Sequence, residues 1–168
     1  MLNTVVMVLG LAAIGGALWL CQSYRELTFC RGCVGESWRQ LQDELTARRE
    51  MIPYLLASVP AAAVQLVDVA GNACDLAAHV AGVRESAQAE GRLTAAMGRL
   101  FELLDSRPEA RADTNFLTLR GRLHEADERI GMLKDTYNRQ AETLNALLKR
   151  GPARLLAHFA LLSEAECF

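Results

Sequence analysis

Few side chains in this chain have the type and spacing for chemistry. Cys30 and Cys33 form a Cys-x-x-Cys pair. Two thiols at that spacing suit disulfide exchange, or supply half of a zinc site. Zinc would need two further ligands, yet Cys21, Cys74, Cys167, His79, His124 and His158 are scattered along the chain. An odd total of 5 cysteines also argues against a disulfide framework. A second constellation is Arg48-Arg49, with Pro53 about one turn later. Arg48 is the one charge on an otherwise apolar stripe, and a buried guanidinium requires carboxylate or carbonyl partners. Pro53 has no N–H, so the carbonyl of Arg49 loses its helical donor. Glu125 and Glu128 are the expected carboxylates if a later helix runs antiparallel. The expected role of Arg48 is an internal ion pair that fixes helix register, the alternative being a polar notch that binds a ligand. The third constellation is Tyr137-Asn138: the ring belongs to a core stripe, its hydroxyl needs an acceptor, and the amide beside it can pin a neighbouring helix. The chain contains no Gly-x-Ser-x-Gly, no His-Glu-x-x-His and no phosphate-cradling glycine loop. The expectation is a protein that is not an enzyme and uses no cofactor or metal.

The elements that must carry these residues are helices. The chain has 168 residues, enough for one domain, and 51% of them are apolar. A net charge of -2 and an aromatic content of 6% exclude a nucleic-acid binder that works by phosphate neutralisation or base stacking. After the N-terminal region no stretch alternates as a strand does. Steps of four and three from Val34 meet Trp38, Leu41, Leu45, Arg48, Ile52, Leu55, Val59, Ala62, Leu66, Val69, Ala73, Leu76, Val80 and Val83. Only Arg48 is polar, so the pattern predicts a long helix packed along its length. Pro53 and Pro60 kink or break it, and Gly71-Asn72 is a further candidate break. A second stripe reads Leu93, Met97, Leu100, Leu104 and stops before Pro108. Asp113, Thr114 and Asn115 offer N-cap oxygens to a third helix. Its stripe is Phe116, Leu119, Leu123, Ala126, Ile130, Leu133, Tyr137, Gln140, Leu144, Leu147, ended by Gly151-Pro152. Residues 153–162 suit a short last helix, and the tail 163–168 has no readable pattern.

Residues 2–21 contain no charged side chain. At about 1.5 Å per residue they reach roughly 30 Å, the thickness of a bilayer's hydrocarbon core. Trp19 and Tyr24 sit near the downstream edge, where amphipathic rings favour the interface. No Lys or Arg precedes the run and its end lacks a small-x-small site, so a cleaved leader fits badly. Arg25, Arg31 and Arg39 follow it, which places the C-terminal body in the cytoplasm by the positive-inside rule, the outer side being the alternative. Ala12, Ala13, Gly15, Gly16 and Ala17 would let two such helices approach, so a homo-oligomer is conceivable.

The stretch from Trp38 through Leu41, Arg48-Arg49 and Ile52-Pro53 resembles the signature of the LemA family. So does the segment running to Pro108 and Asn115-Phe116, and the block Glu128-Arg129-Ile130 with Tyr137-Asn138. Tyr54, Arg107 and Gly151 depart from the family's usual residues at their positions. The resemblance implies a bacterial single-pass membrane protein carrying an all-helical bundle of about four helices, and no known enzymatic activity. Trp38, Arg48, Arg49, Pro53, Pro108, Asn115, Phe116, Tyr137 and Asn138 are its signature residues here.

The expected organisation is all-α: an anchor at 2–21, a juxtamembrane stalk at 22–33, an antiparallel bundle at 34–162 and a tail at 163–168. The expected function is a membrane-anchored scaffold or interaction module with a lipid bilayer and a protein as partners. The competing readings are a redox or metal sensor built on Cys30 and Cys33, and membrane remodelling by self-assembly.

Overall fold

The computed structural model describes residues 2–57, 59, 64–80, 82–106, 113–149 and 164–168. Among them all regular structure is helical: α1 (Leu2–Ala57), α2 (Val64–Ala78), α3 (Val83–Asp105) and α4 (Thr114–Lys149). Pro60, Pro108, Gly151-Pro152 and the helix expected at 153–162 lie outside the described residues. At 56 residues, α1 is about 84 Å long. It therefore carries the apolar N-terminal stretch into the body without a break.

Contacts divide the chain into two compact units, Met1–Glu36 with Asn138–Ala165, and Ser37–Tyr137 with Glu166–Phe168. In the first unit α1 buries Leu27 and Val34, seven residues apart, and α4 buries Ala141, Leu144 and Leu148. These are the i, i+3, i+4 and i+7 spacings of one helix face. Asn145 brackets the backbone of Ala165: its Nδ2 donates to the carbonyl and its Oδ1 accepts from the N–H, both at 2.8 Å. Upstream, by contrast, Met7, Val8, Leu9, Leu11, Ile14 and Leu18 are exposed. This part of α1 is long and apolar enough to cross a membrane.

In the second unit, residue numbers along α1 rise as those of their α4 partners fall. Trp38 meets Tyr137, Glu44 pairs with Arg129, and Arg48 lies at Asp127. The two helices are thus antiparallel. Leu41, Leu45 and Ile130 form one apolar cluster, with Trp38, Leu133 and Phe168 against it. A larger core joins Ile52 and Leu55 of α1, Ala70, Cys74 and Ala77 of α2, Ala89, Leu93, Ala96, Met97, Leu100 and Leu104 of α3, and Phe116 and Leu123 of α4.

The α2 contribution corrects the sequence reading. The predicted seam continued through Val69 and Leu76, but these are about half exposed and the buried positions are Ala70, Cys74 and Ala77. Between α1 and α2 the fully buried positions shift by one residue from the predicted seam, of which Ala73 and Val80 still pack partly buried against the core. Gly71-Asn72 is no break either, because it lies inside α2. The α3 stripe stands, with Leu93, Met97, Leu100 and Leu104 all buried. On α4 Phe116, Leu123, Ala126, Ile130, Tyr137 and Leu144 are buried and Leu119 and Leu133 partly so, but near its end Ala141 and Leu148 are the buried positions where the stripe named Gln140 and Leu147.

Local chemistry fixes the helix ends near the α3–α4 connection. Ser106 Oγ donates to the Leu103 carbonyl at 2.6 Å, closing α3. Of the three candidate caps before α4, Asp113 is the one used: its Oδ1 accepts from the N–H groups of Asn115 at 2.8 Å and Phe116 at 3.3 Å. Arg120 forks onto both oxygens of Asp105 and covers the Phe101 ring at 5.1 Å, while Phe101 meets Phe116 edge-on at 6.4 Å. The Asp105 bond raises the pKa of Arg120.

Candidate functional site

The most concentrated charge in the second unit is a buried arginine–carboxylate cluster. Helical phase puts Arg48 on the buried face of α1, between Leu45 and Ile52, and Arg49 at its edge. Arg48 Nη1 donates to Glu90 Oε2 at 3.2 Å and Nη2 to Thr94 Oγ1 at 3.0 Å. Arg49 Nη1 donates to the other oxygen of the same carboxylate, Oε1, at 2.6 Å, and also reaches the Ala77 carbonyl at 3.3 Å. The side chains of Arg48 and Glu90 are each only 4% exposed. Arg48 Nε lies 3.0 Å from Asp127 Oδ1. Its N–H is not aligned with that oxygen, and this nitrogen has no hydrogen bond although it is buried. The two groups form an ion pair without a hydrogen bond. Two guanidinium and two carboxylate groups thus cancel in formal charge.

The sequence reading placed Arg48 correctly and its partners wrongly. Glu125 and Glu128 are exposed, and Glu128 lies beside His124 on its own helix at 3.8 Å. The partners are Glu90 and Asp127. Asp127 sits between the two expected glutamates, about 160° round α4 from Glu125 and about 100° from Glu128. Glu90 had a legible signal: stepping back three from Leu93 on the α3 stripe lands on it. A carboxylate on an apolar face is the complement that a lone arginine on another apolar face requires.

Pro53 is accommodated as its chemistry dictates. It lies in the last turns of α1, and the Arg49 carbonyl it leaves without a helical donor accepts instead from Cys74 Sγ at 3.7 Å. Burial, chiefly, pushes the Cys74 thiol up, with Asp75 adding to it. This cysteine is a small core donor with little thiolate character.

A second grouping centres on Tyr137. Its hydroxyl donates to the Glu166 carbonyl at 2.7 Å. Trp38 stands 5.4 Å from the Tyr137 ring and 5.8 Å from the Phe168 ring, both tilted, and Lys134 Nζ lies 5.1 Å from the Phe168 centroid. The tail is unreadable in sequence because its anchoring uses three backbone groups, of Ala165 and Glu166, and the Phe168 ring, none of which makes a periodic pattern. Burial above all raises the Tyr137 pKa, with Cys167 and Glu166 adding to it. The folded state therefore favours the protonated phenol. Its contribution is complete below the ordinary value of 10.0 and is lost as pH rises through the higher folded value. Tyr137→Phe is expected to cost about 1 kcal/mol at neutral pH and to flatten part of the alkaline fall in stability, measured by urea unfolding across pH.

The other signature residues lie elsewhere. Asn115 is exposed in the first turn of α4, Phe116 is core, Pro53 is exposed, and Asn138 is half-buried. The structure therefore does not gather the signature into one site: it divides among the arginine cluster, the aromatic group and the α4 start. All five cysteines are thiols. Burial raises the Cys30 thiol, and Cys33 and Glu26 push it the same way. An activated redox thiol is shifted in the opposite direction. Among the described residues no three His, Cys, Asp or Glu side chains gather as metal ligands would.

Comparison with curated proteins finds no match. The LemA family model matches residues 37–168, the stretch that holds every signature residue and both groupings described above, and the chain therefore belongs to the LemA family.

Proposed function

We propose that this protein is a non-enzymatic scaffold, anchored in a bacterial membrane by residues 2–21, whose helical body holds a protein partner at the cytoplasmic face. The observation that carries the reading is α1 itself. One unbroken helix bears exposed apolar side chains from Met7 to Leu20 and then, from Leu27 onward, a buried seam. A helix that is apolar all round is suited to lipid, and one with an apolar stripe to protein packing. Membership of the LemA family supports membrane association. The sidedness rests on Arg25, Arg31 and Arg39 after the span. The scaffold role is supported by the arginine cluster, whose buried carboxylate has both oxygens engaged by protein donors and so acts as a fastening.

Alkaline carbonate washing of membranes tests the anchor: the full chain is expected in the pellet, and recovery in the supernatant overturns the reading. A photo-crosslinking residue at exposed Met132 is expected to give one discrete adduct with a second protein in cells. Turnover of a substrate by the purified chain would overturn the non-enzymatic part.

A further inference from the structure

We propose that the first turns of α1 beyond the apolar run form a binding site for the headgroup of an anionic phospholipid, with Arg25 as the phosphate partner. This rests on the membrane reading above. Gln22, Tyr24, Arg25 and Phe29 line a cavity of about 700 Å³ on the first unit. Tyr24 and Phe29 are 55% and 72% exposed, and Trp19, one turn upstream of the cavity, is 60% exposed. These rings continue the exposed apolar surface that runs from Met7, so the same medium covers both. Depth selects the headgroup. Arg25 stands four residues past Cys21, about 6 Å along the axis. The headgroup layer beyond the hydrocarbon is about 5–7 Å thick.

Charge is complementary as well. Arg25 is exposed and forms no ion pair among the described residues. Gln22, Arg25 and Phe29 follow at steps of three and four, so they share one face. That face points away from Leu27, which is buried. Among the described residues the cavity's one carboxylate is Glu26, which sits about 100° round the helix from Arg25 and is beside Cys30, whose thiol it raises. A guanidinium sharing a face with an amide and a ring offers a phosphodiester its donors and a glycerol backbone its apolar contact.

The test uses the full chain carrying Trp38→Phe, so that Trp19 is the only indole. It is reconstituted into vesicles of equal parts phosphatidylcholine and phosphatidylglycerol, with bromine on the acyl chains of one lipid or the other. Brominated phosphatidylglycerol is expected to quench Trp19 more strongly, reflecting about fivefold local enrichment. Arg25→Gln is expected to equalise the two lipids, and Arg31→Gln, farther from the bilayer, to leave the preference intact. Equal quenching by both lipids in the Arg25 chain overturns the headgroup site while leaving the anchor in place. A preference that survives Arg25→Gln overturns it too. No quenching by either lipid means that α1 is not in the bilayer, and the membrane reading falls with it.

Discussion

Replacing Glu90 with alanine is expected to lower the stability of the second unit by about 3–5 kcal/mol. The loss is large because this carboxylate serves two arginines at once. Without it the Arg48 side chain, 4% exposed, and the Arg49 side chain, 18% exposed, would stay charged with little water around them. Asp127 cannot replace it, because its oxygen already faces Arg48 Nε and is not aligned with that N–H. Thermal and urea unfolding of the full chain in mild detergent, followed by circular dichroism, would read the change. Arg48→Ala is expected to cost more than Arg49→Ala, since Arg48 is the deeper of the two. The double variant Arg48→Met/Glu90→Met is expected to cost less than the sum of its singles, because an apolar pair replaces a desolvated ionic one. Native stability in Glu90→Ala, or strict additivity in the double variant, would show that the cluster does not hold the helices together.

Enlarging the small residues of α2 is expected to have the next greatest effect. Ala70 is fully buried and Ala77 is 3% exposed, so Ala70→Leu and Ala77→Leu each insert volume into filled space. Overpacking of that kind costs about 1–3 kcal/mol. Val69→Ala and Leu76→Ala remove larger side chains, but from surface that is about half exposed, and should stay within about 0.5 kcal/mol. The same urea titrations separate the two registers. If the Val69 and Leu76 variants proved the costly ones, the seam would run through α2 without the one-residue shift.

These two cases mark where the sequence could be read and where it could not. The stripes of α3 and α4 were legible because each is unbroken by proline and its apolar residues are large. Burial follows the α3 stripe throughout and the α4 stripe at Phe116, Leu123, Ile130 and Leu144, while Leu119, Leu133 and Leu147 are only partly buried. On α2 the stripe was misread because Ala is uninformative: it suits both a core and a surface, while Val69 and Leu76 drew the count to the neighbouring register. The burial of Arg48 was legible from its position among Leu45, Ile52 and Leu55. Its partner was not, because an antiparallel α4 is the neighbour the stripes suggest, whereas α3 also faces that turn of α1. The Cys74 bond to the Arg49 carbonyl followed from Pro53 only in half: proline says which acceptor is left, and tertiary packing alone says what donates to it.

The neutrality of the arginine cluster has a consequence for the conditions the protein tolerates. Mobile ions screen charges that stand in water, such as Arg39 and Asp43, over a Debye length of about 8 Å at physiological ionic strength. They have little access to Arg48 and Glu90. The fastening at the centre of this unit is therefore indifferent to salinity, while the pairs on its surface strengthen and weaken with the surrounding electrolyte.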